Sequence, residues 1–535
     1  MRRLSVSFTK RDLIAPYRGN FTAIVQSYSR SVFGGPKQAT IQLNGAEDAL
    51  WQSLDMLRCG VLIQNDQAED CWWGYVHAVK VQTPLMVIGA TLDGVKNYVK
   101  VNYTTVDAQG NYQRGTTDAA TDAVSAAEFG TIEAHVTIND ASDIAAKAKR
   151  DIYLAQRAYP LSKPEVLPTR GDAMHVTLEC RGWWATLDWR FFTDTARVEA
   201  WTENIPPDTL EIANDGSSNR RAQSFQLPNT SDAWWLSSLE TYIERQTATP
   251  VPATLLCELW SHNAGTGFPN AALASTSIAT ASIPGIGDYP NFNFTRFTFD
   301  PPYYITGASK YWFVLRYAGD TSGDMPPLRL RLHGLGNGTD YPRGSMARWA
   351  VDSGGIWIAD AWTTNDWHFR VNGVLDTTEA IRAAITGAGQ FITGVDVPAP
   401  SGVYADALRD GESTALRIVT DLLGMGTGNK RRLLATVSPA RRLLLWEEPD
   451  AGAPAYYLTR RGLTDPYGAS VDKTLCPVGM WLSIEQLVKT PINAFGLTVA
   501  DRTFIDEAQY TVSSDTWQPT ARNIESVWSI GVNLA

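Results

Sequence analysis

Residues 34–45, Gly-Gly-Pro-Lys-Gln-Ala-Thr-Ile-Gln-Leu-Asn-Gly, leave the backbone little choice. The Gly-Gly-Pro break ends whatever precedes it, and strict alternation follows. Ala39, Ile41 and Leu43 fall on one face, Thr40, Gln42 and Asn44 on the other. That is the period of a half-buried strand, and Asn44-Gly45 supplies its turn. Glu47 to Leu57 follows as one short helix, with Leu50, Leu54 and Leu57 inward at spacings of four and three. Val61–Ile63 and Trp72–Val79 read as a hairpin joined by a polar loop. Strand, helix and hairpin within about fifty residues suit a small barrel with a helix against its wall. Nothing in the segment has the look of an active site.

The rest of the chain keeps that style. Its 535 residues imply roughly three to four domains at about 150 residues each. Hydrophobic residues at 44% and charged residues at 19% exclude extensive disorder. With 42 Gly, 28 Pro and few long helical periods, strands and turns dominate. A net charge of −10 excludes a surface built to grip phosphates, which needs Lys and Arg in number. Such a chain suits a wall past which a polyanion slides. No apolar run reaches 18 residues, so no membrane span is expected, and the N-terminus lacks the apolar core of a secretory signal. Cys59, Cys71, Cys180, Cys257 and Cys476 are too few and scattered for a disulfide framework or a cysteine zinc site. Cys59 and Cys71 flank the hairpin, but the pattern is intracellular in style and no bridge is expected.

Ser125–Phe129 reads as a short helix stopped by Gly130, and Asp140–Ala158 as a longer one. Ala141, Ile144, Ala145, Ala148, Ile152 and Ala155 form its apolar stripe. Pro160, Pro164 and Pro168 then impose an extended linker before a strand at Met174–Cys180. The segment RGWWATLDWRFFT after it echoes the Trp pair of the first hairpin about 110 residues earlier, as two related barrels in one chain would.

Taken together, GGPKQATIQLNG through CWWGYV, TTDAATDAVSAAEFGTIE, RDIYLAQRAYP and RGWWATLDWRFFT resemble the hub, or minor tail, proteins at the tail tip of long-tailed bacteriophages. The resemblance covers about residues 1–204 and 374–535 and lies in segment order, not in one diagnostic motif. It implies tube-type β-barrels, two per subunit, assembled as a homotrimer that matches a hexameric tube. It also implies contacts with other tail proteins (distal tail protein, tube or tape-measure-end proteins, central fibre). DNA would pass through without sequence-specific binding. The location implied is the virion tail tip, after synthesis in the host cytoplasm.

Style changes after the polar linker at 205–219. From Arg221, alternating strands such as Phe292-Phe294-Phe297-Phe299 and Tyr311-Phe313-Leu315 alternate with turns until Gly373. They predict a jelly-roll-like β-sandwich over 222–372. The order AQSF, LWSHNAGTGFPNAAL, FDPPYYITGASKYWFVL is similar to carbohydrate-binding-module-like appendages of phage and bacterial surface proteins. An inserted domain would place Asn219 and Gly373 close together. Beyond it, Asp376-Thr-Thr-Glu379 is a capping box, and Glu412–Leu423 a second helix. The expected fold class is therefore mainly β with short helices, multidomain: tube-type β-barrel hub domains plus an inserted jelly-roll-like β-sandwich. The expected domains are 1–107 (first barrel), 108–204 (α+β, leading into a second barrel), 222–372 (sandwich) and 373–535 (remainder of the hub).

No catalytic constellation emerges. There is no G-x-S-x-G elbow and no H-E-x-x-H pair, and the six histidines are dispersed. Gly424–Lys430 lacks the ending of a phosphate loop and follows a helix, so it reads as a connection. Glu240, Glu244, Glu258, Asp288 and Asp300 are acids beside the sandwich's aromatics, and Glu240 and Glu258 are expected on solvated faces. No cofactor, metal or enzymatic role is expected. The candidate ligand residues are aromatic: Trp260, His262 and Asn263 at a strand end, and Trp357, Trp362 and Trp367 in a Gly- and Asp-rich stretch. An exposed Trp offers the apolar face of a sugar a flat partner, while neighbouring polar groups satisfy hydroxyls. The expected function is a structural virion protein whose sandwich takes host surface glycan. The alternative is a glycan-active protein in which the sandwich binds and the remainder catalyses.

Overall fold

In a computed structural model of the chain, residues 4–106, 112–166, 174–194, 198–201, 209–212, 220–230, 233–245, 254–283, 294–318, 328–331, 343–350, 355–359, 367–397, 399–406, 409–450, 452–453, 455–459, 462–484 and 502–521 are described. The protein is mainly β, with several sheets and a few short helices. Two compact units divide it. The first comprises Met1–Thr193, Thr377–Val403 and Asp410–Ala535, the second Asp194–Asp376 and Tyr404–Arg409.

The first unit is organised around the strand Phe33–Gly45. It pairs antiparallel with Phe21–Ser31 on one side and with His175–Arg181 on the other, and its first residues pair in parallel with Leu433–Val437. Ile41 and Leu43 are fully buried, as the alternation requires. The order of the first six strands is Ser5–Thr9, Gly60–Gln64, Asp70–Gln82, His175–Arg181, Phe33–Gly45, Phe21–Ser31. The outer two approach through Phe8 and Phe21, ring centroids 6.0 Å apart, so the six strands curl almost into a ring. The chain's other end joins the same sheet: Arg502–Thr511 pairs with Phe21–Ser31, Ser27 opposite Thr511. The Trp73 indole donates to the carbonyl of Val437 at 2.8 Å, and the buried Tyr28 hydroxyl donates to that of Thr474.

The Trp echo is not a repeat of local structure. Trp72 and Trp73 lie in a strand, whereas Trp183–Trp189 is a 3-10 helix. The two segments are also neighbours in one sheet, with Arg181 opposite Tyr75 and Cys180 opposite Val76. Trp183 and Trp189 pack on Tyr75, at 5.3 and 5.5 Å between centroids. Aromatic pairs recur because both segments fill one core. Gly34, at φ +98°, explains the Gly-Gly-Pro start: a Cβ there would come within 2.3 Å of the Trp184 ring.

The helix Asp143–Arg157 is capped by Ser142, but its expected stripe is not its buried face. Ile144 is 80% exposed and Ile152 56%. Ala146 is the fully buried residue, because its small side chain sets the helix close onto Tyr98–Val106. Elsewhere Ala123–Phe129 stops at Gly130 and Thr377–Ala388 starts at the capping box, while Glu412, expected to open a helix, lies in the strand Arg409–Thr414, and the helix Ala415–Gly424 buries Ile418, Val419, Leu422 and Leu423. Gly424 to Lys430 connects that helix to Leu433–Val437. All five cysteines are free and buried.

The second unit is a sandwich of two larger sheets, with a small third sheet of Thr209–Ile212, Leu328–Arg331 and Ile243–Arg245, and it is wider than residues 222–372. One sheet runs Val198–Trp201, Phe369–Asp376, Ala233–Thr241, Thr295–Thr306, with Tyr404–Asp406 also on Phe369–Asp376. The other runs Pro269–Ala279, Thr254–His262, Tyr311–Tyr317, Arg220–Phe225, Met346–Ala350, Ile356–Ala359. Between them lies a core that includes Phe225, Leu239, Leu259, Phe297, Phe313, Trp367 and Phe369. Val198 stands opposite Asn372, so this unit's chain enters and leaves at neighbouring points. Asn219 lies outside the described residues.

Two predictions follow from these contacts. A fragment 222–372 lacks both Val198–Trp201 and Tyr404–Asp406, the two strands on the edge of Phe369–Asp376 that Ala233–Thr241 does not cover, and so bares that edge. Its thermal midpoint is expected below that of a fragment spanning 194–409, with aggregation on heating. In the first unit, a Cβ on Gly182 would meet the Pro36 carbonyl oxygen at 1.8 Å, a backbone clash that no rotamer relieves. Gly182→Ala is expected to cost about 3 kcal/mol, read from the denaturant midpoint of the first unit.

Candidate functional site: an aromatic face on the sandwich

The six-stranded sheet has a second apolar cluster on the face turned away from the core. Ala222, Trp312, Val314, Ala347 and Trp357 are buried in it, with Trp260, Phe268 and Trp349 packed against them and partly exposed. The register explains the selection. Glu258, Val314, Ala222 and Ala347 stand in one row across four strands, and Trp260, Trp312 and Ser224 in the next. Their neighbours along each strand, Leu259, Phe313 and Met346 among them, face the core instead.

The face is concave. Trp260 and Trp357 lie on strands separated by three others, about 19 Å apart in a flat sheet at a 4.8 Å spacing. Their ring centroids are nevertheless 6.0 Å apart, edge to face, so the sheet curls and brings its margins together. Small residues, Ala222 and Ala347, form the floor that permits this. Trp349 meets Trp357 edge to face at 5.4 Å. The Trp357 indole nitrogen is buried and has no hydrogen-bond partner.

Polar groups fix the rings. Glu258, only 6% exposed, accepts from the Trp260 indole at 3.0 Å and from Arg316 at 2.7 and 3.1 Å. The Trp312 indole donates to His262 Nδ1 at 3.0 Å, and the two rings stack. Arg220 lies over the Trp349 ring at 5.0 Å. Burial, then the neighbouring Arg316, pushes Arg220 below the usual guanidinium value.

Of the sequence-derived candidates, Trp260, His262 and Trp357 share this face. Asn263 is half-buried beside it, but its side-chain oxygen is committed to the turn, accepting from Gly265 and Thr266 at 2.9 and 3.2 Å. Trp367 is a correction: fully buried, it packs on Phe313 at 5.2 Å inside the sandwich. It faces the core because its backbone N–H is anchored to the buried Gln223 side chain at 3.1 Å. Trp362 lies outside the described residues. Glu258 is a second correction, since its carboxylate is buried under Trp260 instead of solvated, held there by Arg316. Glu240 lies near Arg296 and Arg370, at 3.9 and 3.8 Å. Arg220 and Trp349 were missed. Their only sequence signal is alternation in Met346–Ala350, which does not show which face a tryptophan takes.

Among the described residues, no group of three His, Cys, Asp or Glu side chains is placed to hold a metal, and no helix is long and apolar enough to cross a membrane. No family model matches the chain, and no curated protein matches it. Among solved structures it is similar, at 10% identity, to the VP2 subviral particle of infectious bursal disease virus. The match covers 70% of this chain and 76% of that one, with a TM-score of 0.11. A point mutant of the same VP2 in derived T=1 particles matches over 69% and 73%, with a TM-score of 0.10 and 10% identity. Overlap at that level carries no argument about fold or activity.

The hydrogen bond from Trp312 to the half-buried His262 gives the face a pH signature. Burial, then Lys310, lowers the His262 pKa below 6.5. A base depressed in the folded state contributes stability that is complete above its unfolded pKa and lost as pH falls through the folded one. The sandwich's thermal midpoint is expected to drop between pH 7.5 and 5.5, and His262→Gln to flatten part of that slope.

Proposed function

We propose that the protein is a structural virion component, the hub of a phage tail tip. It continues the tail tube as a homotrimer around the DNA exit channel and carries a peripheral sandwich that binds host surface glycan. The observation that carries this reading is the arrangement of the chain. Its two ends share one sheet, and a separate sandwich is spliced between them, leaving and returning at neighbouring points. A frame closed by both ends is suited to a fixed place in an assembly, while a splice leaves the passenger free to vary.

Two further features support it. More than half of the large apolar side chains left exposed among the described residues fall between Leu85 and Val166, Ile144, Leu161 and Val166 among them. Apolar surface of that kind favours an assembled state over a monomer. The net charge of −10 suits a wall that DNA passes without adhering. For the sandwich, support comes from the concave aromatic face, whose Trp260 ring is oriented by a buried carboxylate.

Imaging of assembled tails by electron cryo-microscopy tests the proposal. Three copies on the tube axis at the tail tip are expected. Density in the capsid or away from the axis would overturn it.

A further inference from the structure

The aromatic face pairs two kinds of group that neutral sugars do not require together. Trp260 and Trp349 are partly exposed rings on opposite margins of the concavity. Beside Trp349 stands Arg220, whose guanidinium has a ring contact but no carboxylate within ion-pair distance among the described residues. The face does hold a carboxylate, Glu258, but Arg316 takes it with two nitrogens at 2.7 and 3.1 Å, and the Trp260 indole with a third bond. Glu258 also attracts Arg220, but Arg316 offsets its charge, so among the described residues the three groups together keep one net positive charge at the margin. Lys310 adds positive potential near His262. Among the described residues the local charge is thus positive on a chain whose total is −10. Local charge decides here, because charges beyond about 8 Å are largely screened at physiological salt.

We propose that this face binds an acidic saccharide, with a pyranose ring against the aromatic margin and its carboxylate on Arg220. The inference rests on the glycan-binding part of the proposed function and names its substrate class. An indole takes the apolar face of a sugar, and a guanidinium takes a carboxylate through paired N–H donors, which lysine does not reproduce in geometry. Single-stranded nucleic acid also stacks on aromatics, but it needs a run of cations tracking the backbone. Here, among the described residues, one arginine without an acid stands beside one already paired.

The test uses the full chain on an array of oligouronates, their methyl esters, sialylated and neutral oligosaccharides, and a single-stranded oligonucleotide. Binding constants follow by calorimetry for the acid and ester forms of one hit. An acid-over-ester preference of roughly tenfold is expected, the worth of one charge-assisted hydrogen bond. Arg220→Gln is expected to bring the acid down to the ester, Arg220→Lys to keep part of the preference, and Trp260→Ala to lose both ligands. Thermal midpoints near that of the parent chain show that the variants fold. Equal binding of acid and ester, an unchanged preference in Arg220→Gln, stronger binding of the oligonucleotide, or silence across the array would each overturn the proposal. Tail incorporation of Arg220→Gln separates the readings: normal incorporation with lost binding is expected, and incorporation without any sugar binding in the parent chain would retire the glycan role and leave the hub standing.

Discussion

The strand Phe33–Gly45 is where the first unit is tied together. A strand ordinarily has two partners, but this one has three, because its first residues pair with Leu433–Val437 while its body is held between Phe21–Ser31 and His175–Arg181. Those partners come from the first hairpin, from the region before the splice and from the region after it. Each brings a ladder of hydrogen bonds that water would otherwise satisfy, and the net gain per bond is small. What holds the arrangement is the apolar face, Ile41 and Leu43, buried on all sides by what those partners carry. The positive φ of Gly34 lets the strand begin under Trp184 and still reach Thr436.

That strand was legible because its signal is local: period-two alternation bounded by turn residues. The stop at Gly130 was legible for the same reason, whereas the helices capped by Asp122, Ser142 and Thr414 start two or three residues from the expected Ser125, Asp140 and Glu412. The buried face of Asp143–Arg157 was not. Its most apolar stripe points to water, and small size at Ala146 decided which side could close on a strand. Hydrophobic periodicity finds the face a helix could bury, and tertiary packing chooses the face it does bury. The recurring Trp pair misled differently. It reflects one core filled from two strands lying side by side, a relation that spacing in sequence does not encode.

The site was half legible. Trp260 and His262 follow from a strand end rich in polar-aromatic side chains, and the structure places both on one face. Trp367 has the same composition around it and faces the core, because its place is set by Gln223, more than a hundred residues away. Arg220 and Trp349 become a pair only through the register that sets residue 221 opposite 348 and 222 opposite 347. No single strand announces that neighbour. Alternation gives two faces per strand, but only pairing decides which faces are the same.

The Glu258–Arg316 pair shows why a buried acid can make a surface more receptive to anions. An unpaired carboxylate at 6% exposure would be strongly disfavoured in its charged form, and if charged it would repel any ligand acid nearby. With two Arg316 nitrogens donating to its Oε1, the pair is neutral at a distance, and its Oε2 orients Trp260. Stability is not the main return on such a pair, since an apolar replacement of equal volume often does as well. The return is geometry: a ring held at a fixed angle, and a second arginine with no acid in ion-pair reach among the described residues. Removing Glu258 would therefore do more than delete a charge. It would free Trp260 to turn and put two unpaired guanidinium groups side by side, so a face built to accept one carboxylate would lose both its platform and its selectivity.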